Sequence, residues 1–155
     1  MQDYLEAIKW LLNSAEKGNS SARALREKDI YHKWLKLATV EGDDLAQNFL
    51  GAKYYLELNI AQNYTEAANW YQKAADQGST TAQNIFGAMN ENGKGIARDY
   101  VKANMWFTIS EKSGNAFGHA YRVNVEKHMD SDQIAKAQEL AKTLLDEHQN
   151  KPETQ

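Results

Sequence analysis

The 155-residue chain contains no cysteine and a single proline, Pro152. The first absence excludes disulfides, thiolate metal sites and thiol nucleophiles, and leaves the redox compartment open. The second speaks against a loop-rich β fold and for long helices. Long apolar runs are missing too: stretches such as Trp10-Leu11-Leu12 fall far short of the roughly 20 residues that cross a bilayer. Charge of one sign is equally scarce. Eighteen Lys and Arg oppose 21 Asp and Glu, a formal charge of −3, too small and of the wrong sign to hold a polyanion. Neither nucleic acid nor membrane insertion is therefore expected. The opening Met-Gln-Asp-Tyr-Leu-Glu lacks the basic start and apolar middle of a signal peptide. The chain as given is expected in the cytoplasm, or in the periplasm or outside the cell if it is a processed fragment. With 42% hydrophobic and 25% charged residues, the composition is that of one globular domain.

What the chain has is repetition. Its four tryptophans, Trp10, Trp34, Trp70 and Trp106, each precede a glycine by eight residues: Gly18, Gly42, Gly78 and Gly114. The intervals are 24, 36 and 36 residues. Asn63-Tyr64-Thr65-Glu66-Ala67 aligns with Asp99-Tyr100-Val101-Lys102-Ala103, and the opening Asp3-Tyr4-Leu5-Glu6-Ala7 carries the same phrase. Ala46, Leu50 and Gly51 align with Ala82, Phe86 and Gly87. This is a tandem array, in which neighbouring units bury a shared core.

One unit reads as two helices. Ala67, Trp70, Tyr71, Ala74 and Ala75 recur at the spacing of one helical face, and Gly78 follows where a left-handed residue ends a helix. Ala82, Ile85, Phe86 and Met89 restart the pattern. Gly51 and Gly87 lie mid-helix, where glycine costs about 1 kcal/mol; close approach of two helix backbones is the expected return. The loop Asn92-Gly93-Lys94-Gly95-Ile96 offers two residues able to take positive φ. Helices are expected over 4–17, 20–41 (broken or bent), 44–57, 64–77, 80–91, 99–113, 116–128 and 131–149. The units fall near 3–18, 19–42 (compressed, without room for a full helix pair), 43–78, 79–114 and 115–149, with 150–155 a frayed tail. Asp130 with Gln133 forms a capping signal, after which Ile134, Ala137, Ala141, Leu144 and Leu145 make the apolar stripe of a terminal helix shielding the array's open end.

These phrases resemble the Sel-one-like repeat (SLR), a 36-residue relative of the tetratricopeptide repeat. Ala46-Leu50-Gly51-Tyr54 is similar to the start of its motif and Tyr64-Glu66-Ala67-Trp70-Tyr71-Lys73-Ala74-Ala75-Gly78 to its end. Gly93-Gly95-Ile96, Asp99-Lys102-Ala103-Trp106-Phe107 and Gly114 meet it again. Asn90, where the family has tyrosine, departs from it, as do the shortened early unit and the weak copy after Gly114. The array also opens on a second-helix phrase. The resemblance implies an all-α superhelical solenoid with a C-terminal capping helix, and a scaffold or adaptor that binds protein on its concave face.

Chemistry-bearing patterns are few. His32, His119, His128 and His148 include no pair at metal-ligand spacing, so no metal and no cofactor are expected. No nucleophile elbow, Walker loop or dinucleotide fingerprint occurs. Gly93-Lys94-Gly95 lacks the rest of a phosphate loop and is explained as a repeat connection. Asp43 and Asp44 lie where a helix N-terminus favours carboxylates. The tryptophans share a phase with small core residues and are expected to pack rather than to stack on sugars or bases.

The outer edge of the first helices is what the core leaves over. With the mid-helix glycine as origin, positions −3, +1, +4 and +5 are expected to face the inner curve. They are Asn48, Ala52, Tyr55 and Leu56, then Asn84, Ala88, Glu91 and Asn92, then Ala120, Asn124, Lys127 and His128. Asn48, Tyr55, Asn84, Glu91, Asn92 and Asn124 are the expected partner contacts, on a polar strip suited to hydrogen-bonding an extended chain. The sequence thus reads as a non-catalytic protein- or peptide-binding module. A bacterial immunity or inhibitor protein that plugs a toxin is a narrower version, and a structural spacer another. A secreted cell-wall or β-lactam-active enzyme, a role the resemblance also brings, is the rival from another class; such arrays are cysteine-rich and this one is not. A homo-oligomer through the open N-terminal repeat face is the further association the pattern allows.

Overall fold

The computed structural model describes Leu37, residues 41–56 and residues 63–149. Six helices occur there and no strand: α1 (Asp44–Tyr55), α2 (Tyr64–Asp76), α3 (Thr80–Asn92), α4 (Tyr100–Lys112), α5 (Ala116–Glu126) and α6 (Ser131–Gln149). Each starts within one residue of its expected position and ends within two. The helices expected over 4–17 and 20–41, the compressed unit, Trp10 and Trp34 lie outside the described residues, apart from Leu37 and position 41.

The cap chemistry repeats with the array. Asp43 Oδ1 accepts from Ala46 N at 2.7 Å, and Ser79 and Asn115 cap the same turn one and two periods later. Asn63 and Asp99 cap α2 and α4, each accepting at 3.0 Å. Each side-chain oxygen satisfies one of the amides that a helix start leaves without a carbonyl. At α6 the bond is reciprocal: Gln133 N donates to Asp130 Oδ1 at 2.8 Å and Asp130 N donates to Gln133 Oε1 at 3.0 Å. That is the capping box read from the sequence. At the other helix ends, Gly78 (φ 95°) and Gly114 (φ 91°) take the left-handed conformation. They let Ser79 N and Asn115 N reach back to Ala74 O and Ser110 O, each at 3.0 Å.

Each helix packs on the next from α1 to α5, and α6 returns onto α4. Stacked helix pairs sharing a continuous core form a solenoid. The main core holds Ala67, Ala68, Tyr71, Ala74, Ala75, Ala82, Phe86, Met89, Met105, Trp106, Ile109 and Ala141. Trp70 and Trp106 are buried, and Trp106 meets Phe86 edge to face at 5.7 Å. Ala141 enters this core with Leu144 and Leu145 beside it, so the terminal helix covers α4 as its stripe predicts.

The mid-helix glycines play a different part from the expected one. They admit a ring rather than a backbone. A Cβ on Gly51 would stand 3.0 Å from the Tyr71 ring, and one on Gly87 2.6 Å from the Phe107 ring. Backbone approach occurs at Gly118, where a Cβ would meet Glu111 N at 2.5 Å, and at Gly95, which sits against the Tyr64 carbonyl and holds its loop on the start of α2.

Candidate functional site

The first helices α1, α3 and α5 place the candidate residues at equivalent repeat positions. The structure brings some of them together. Glu91 Oε1 accepts from Asn124 Nδ2 at 3.4 Å across adjacent units, and Asn124 Oδ1 accepts from Lys127 Nζ at 3.4 Å. Asn92 is exposed, its amide donating to Ala88 O at 2.8 Å. Tyr55 is half-buried, edge to face with Tyr64 at 5.1 Å, and its hydroxyl accepts from Lys94 Nζ at 3.1 Å. That hydroxyl also raises the Lys94 pKa above the ordinary lysine value. The Gly93-Lys94-Gly95 loop is therefore a clasp between units, with the ammonium over both rings at 5.1 and 5.3 Å.

Two asparagines lie elsewhere. Asn84 is 8% exposed, and its Oδ1 is buried without a hydrogen-bond partner. Asn48 is half-buried; its amide donates to Asp44 O at 2.9 Å and Ser79 Oγ at 2.8 Å. Asn84 was expected on the surface strip and is not there. Helical phase explains why. At about 100° per residue, position −3 lies only about 60° from the glycine that faces the second helix, and +4 only about 40°. Positions −6, −2, +1 and +5 cluster about 100–160° away and form the outer face.

That face is more apolar than the expected strip. It includes Leu45, Ala52 and Leu56 on α1 and the residue after it, Thr81, Ala88 and Asn92 on α3, and Phe117, Tyr121, Asn124 and His128 at α5. Leu45, Leu56, Phe117 and Tyr121 are 57%, 59%, 68% and 44% exposed. Phe117 and Tyr121 stack at 6.5 Å, and Tyr121 also lies on Phe107 at 5.4 Å. Leu45 and Phe117 occupy the same repeat position, a signal present in the sequence and missed there.

Charge gathers at the junction of α4 and α5. Arg122 donates to Glu111 and to Glu126, each at 2.7 Å, and Glu111 also holds His119 at 2.7 Å. The Arg122 hydrogen bond holds the Glu111 carboxyl below its ordinary range, and Glu111 in turn raises the Arg122 pKa. Tyr71, by contrast, is pushed up to about 12 by burial, with Tyr55 adding to the shift. His128 stacks on Tyr100 at 5.4 Å; the His32 and His148 side chains lie outside the described residues. Among the described residues no three His, Cys, Asp or Glu gather as metal ligands, and no helix is long and apolar enough to cross a membrane.

The Sel1 repeat family model matches residues 1–19, 44–79 and 81–115. Among solved structures, the chain is similar to c5321, a protective antigen present in uropathogenic Escherichia coli strains displaying an SLR fold. Identity is 27% and the TM-score 0.73, over 96% of this chain and 36% of that one. It is also similar to a Sel1 repeat protein from Oxalobacter formigenes, at 30% identity and a TM-score of 0.58, over 66% of this chain and 29% of that one. The chain spans about a third of the length of either. No curated protein matches it. Its repeats, caps and fold make this chain a member of the Sel1 repeat family.

Proposed function

We propose that the protein is a non-catalytic binding module that holds a peptide or protein segment along the outer face of its first helices. Sel1 repeat proteins generally act as protein-interaction scaffolds, and the observation that carries the reading here is the row of exposed apolar side chains. Leu45 and Leu56 stand at α1 and Phe117 and Tyr121 on α5, two repeats apart, with Glu91 and Asn92 on the intervening α3 and Asn124 on α5. Large apolar groups kept in water on a rigid scaffold mark interaction sites, and aromatic anchors ringed by polar groups are the usual centres of binding energy. The described histidines and the Glu111–Arg122–Glu126 cluster bind one another or pack, which supports a scaffold rather than an enzyme. An immunity or inhibitor protein is a narrower form of this reading, which the modest acidic charge of −3 allows but does not select. The test is affinity capture from a bacterial lysate with the parent chain and with Phe117→Asp in parallel. A partner held by the parent and lost by the variant supports the face; equal capture by both overturns it.

A further inference from the structure

Positions −7, −4, −3, 0 and +4 of a first helix, counted from its mid-helix glycine, lie within about 60° of that glycine's direction. On α1 and α3 all five are buried or half-buried, with the second helix of the unit packed over them. On α5 they are Ala116, His119, Ala120, Val123 and Lys127, and all five are exposed. The chain's next helix is drawn elsewhere. Met105 and Ile109 of α4 stand where α2, one period earlier, has the exposed Asn69 and Lys73. That apolar pair is buried in one core with Ala141 of α6, and α6 packs on α4. So α5 keeps in water a surface that the molecule covers with a helix in both preceding units.

We propose that this surface is a docking site for an amphipathic helix of a partner protein, aliphatic at its centre and acidic at its N-terminal end. The proposal goes beyond the row of Leu45 and Phe117 and does not depend on it, since that row lies about 100–160° around the helix from the glycine position. The two covered units supply the rules of fit. In each, a glycine admits a ring: Gly51 that of Tyr71, and Gly87 that of Phe107. On α5 the position holds Val123, 42% exposed. Its branched side chain takes space that the ring uses, so the complementary residue is smaller, a leucine or valine. The covering helix runs antiparallel. At −4, Gln47 Oε1 accepts from Gln77 Nε2 at the end of α2, at 2.7 Å, and at +4 Tyr55 meets Tyr64 at the start of α2. The start of an occupant would therefore face Lys127. His119 at −4 already shares Glu111, whereas Lys127 Nζ reaches only the Asn124 amide oxygen among the described residues, at 3.4 Å. No carboxylate stands among the five positions. An acidic residue at the start of the occupant complements Lys127 and is favoured there by the helix dipole as well.

The probe is a fluorescein-labelled synthetic helix, residues 99–114 of this chain with Phe107→Leu. It also carries Met105→Lys and Ile109→Glu, joined side chain to side chain as a lactam. The lactam lies on the face that α6 covers in the whole chain, and it offsets the marginal stability of so short an isolated helix. Anisotropy titration with the full chain is expected to show saturable binding, weakened about tenfold or more by Val123→Asp and unchanged by Phe117→Asp. The leucine probe should bind the parent more tightly than one retaining Phe107, and Val123→Gly should reverse that order by restoring the glycine–ring pair. Asp99→Asn in the probe should weaken binding to the parent and make no difference to Lys127→Ala. Val123 and Lys127 are exposed, so these variants should melt with the parent; if Val123→Gly melts lower, Val123→Ala makes the same comparison. Absence of saturable binding overturns the proposal, as does an affinity indifferent to Val123→Asp or an order of the two probes that the smaller residue at 123 leaves as it was. Loss with Phe117→Asp and not with Val123→Asp also overturns it, and moves the helix to the outer row in favour of the binding reading above.

Discussion

The ring of Phe107 lies against Gly87 so closely that a Cβ there would stand 2.6 Å from it. Two effects oppose each other in Gly87→Ala. Alanine raises helix propensity by about 1 kcal/mol, whereas forcing a methyl into a packed interface costs about 1–3 kcal/mol. The contact is to a ring in a fully buried position, so strain is expected to win and the variant to lose about 1–2 kcal/mol in urea unfolding. Adding Phe107→Leu makes room and should recover part of the loss. If the double variant is less stable than the sum of the two singles, the ring–glycine fit does not govern this interface.

Trp106 is 4% exposed and meets Phe86 across α3 and α4. Its truncation to alanine should cost about 3–5 kcal/mol, as for other buried aromatics, a large part of the stability of a small domain. Thermal unfolding reads this directly. A melting temperature within a degree or so of the parent's would show that the period-36 tryptophans are not core residues.

Much of this was legible because it rests on local chemistry. The helix starts follow from Asp43, Asn63, Ser79, Asp99 and Asn115, all short side chains that can bond an amide three or so residues on. The Asp130–Gln133 box and the glycine turns have equally local causes. The partner strip was not legible in detail, since it depends on the angle at which two helices meet. The mid-helix glycine was read as a site of backbone contact, yet the group it admits is a ring from the second helix. That ring draws positions −3 and +4 inward, burying Asn84 and half-burying Tyr55, and leaves Phe117 and Tyr121 outside.

Asn84 now belongs to stability rather than binding. Its Oδ1 is buried without a partner, and such a group costs about 1–3 kcal/mol in desolvation. Asn84→Leu, which exchanges the amide for an apolar group of similar size, should therefore leave stability unchanged or raise it by about 1 kcal/mol. Equilibrium unfolding decides the sign. A loss of several kcal/mol would mean that the amide is satisfied in solution by bound water.

Glu111 couples stability to pH. Arg122 and His119 lower its pKa in the folded state below the ordinary glutamate value of 4.5. The unfolded chain therefore takes up a proton first as pH falls, so the stabilisation is present in full above about 4.5 and is lost as pH drops through the lower folded value. Glu111→Gln should reduce stability at neutral pH and flatten the acid limb of the profile. The comparison is urea midpoints of parent and variant from neutral pH downward. A variant whose acid limb is as steep as the parent's would assign that limb to other carboxylates.

The last expectation separates binding from folding on the first-helix face. Phe117 is 68% exposed and Leu45 57% exposed, so neither contributes much burial to the free protein. Phe117→Asp places a charge where an apolar anchor would insert, and a charge buried in an interface without a partner is costly. Loss at a true hot spot is at least about 2 kcal/mol, some thirtyfold or more in Kd at about 1.4 kcal/mol per decade. The melting temperature should remain nearly unchanged. Leu45→Asp, two repeats away on the same row, should act in the same direction if the ligand spans the array, and should do nothing if it engages only the α5 end. Lys73→Ala serves as the opposite-side control: the ammonium lies over the Trp70 ring at 4.3 Å on α2, away from the row. Titration of the captured partner against the three variants reads out the result. Weakening by Lys73→Ala with no effect from Phe117→Asp would place the partner on the second helices instead.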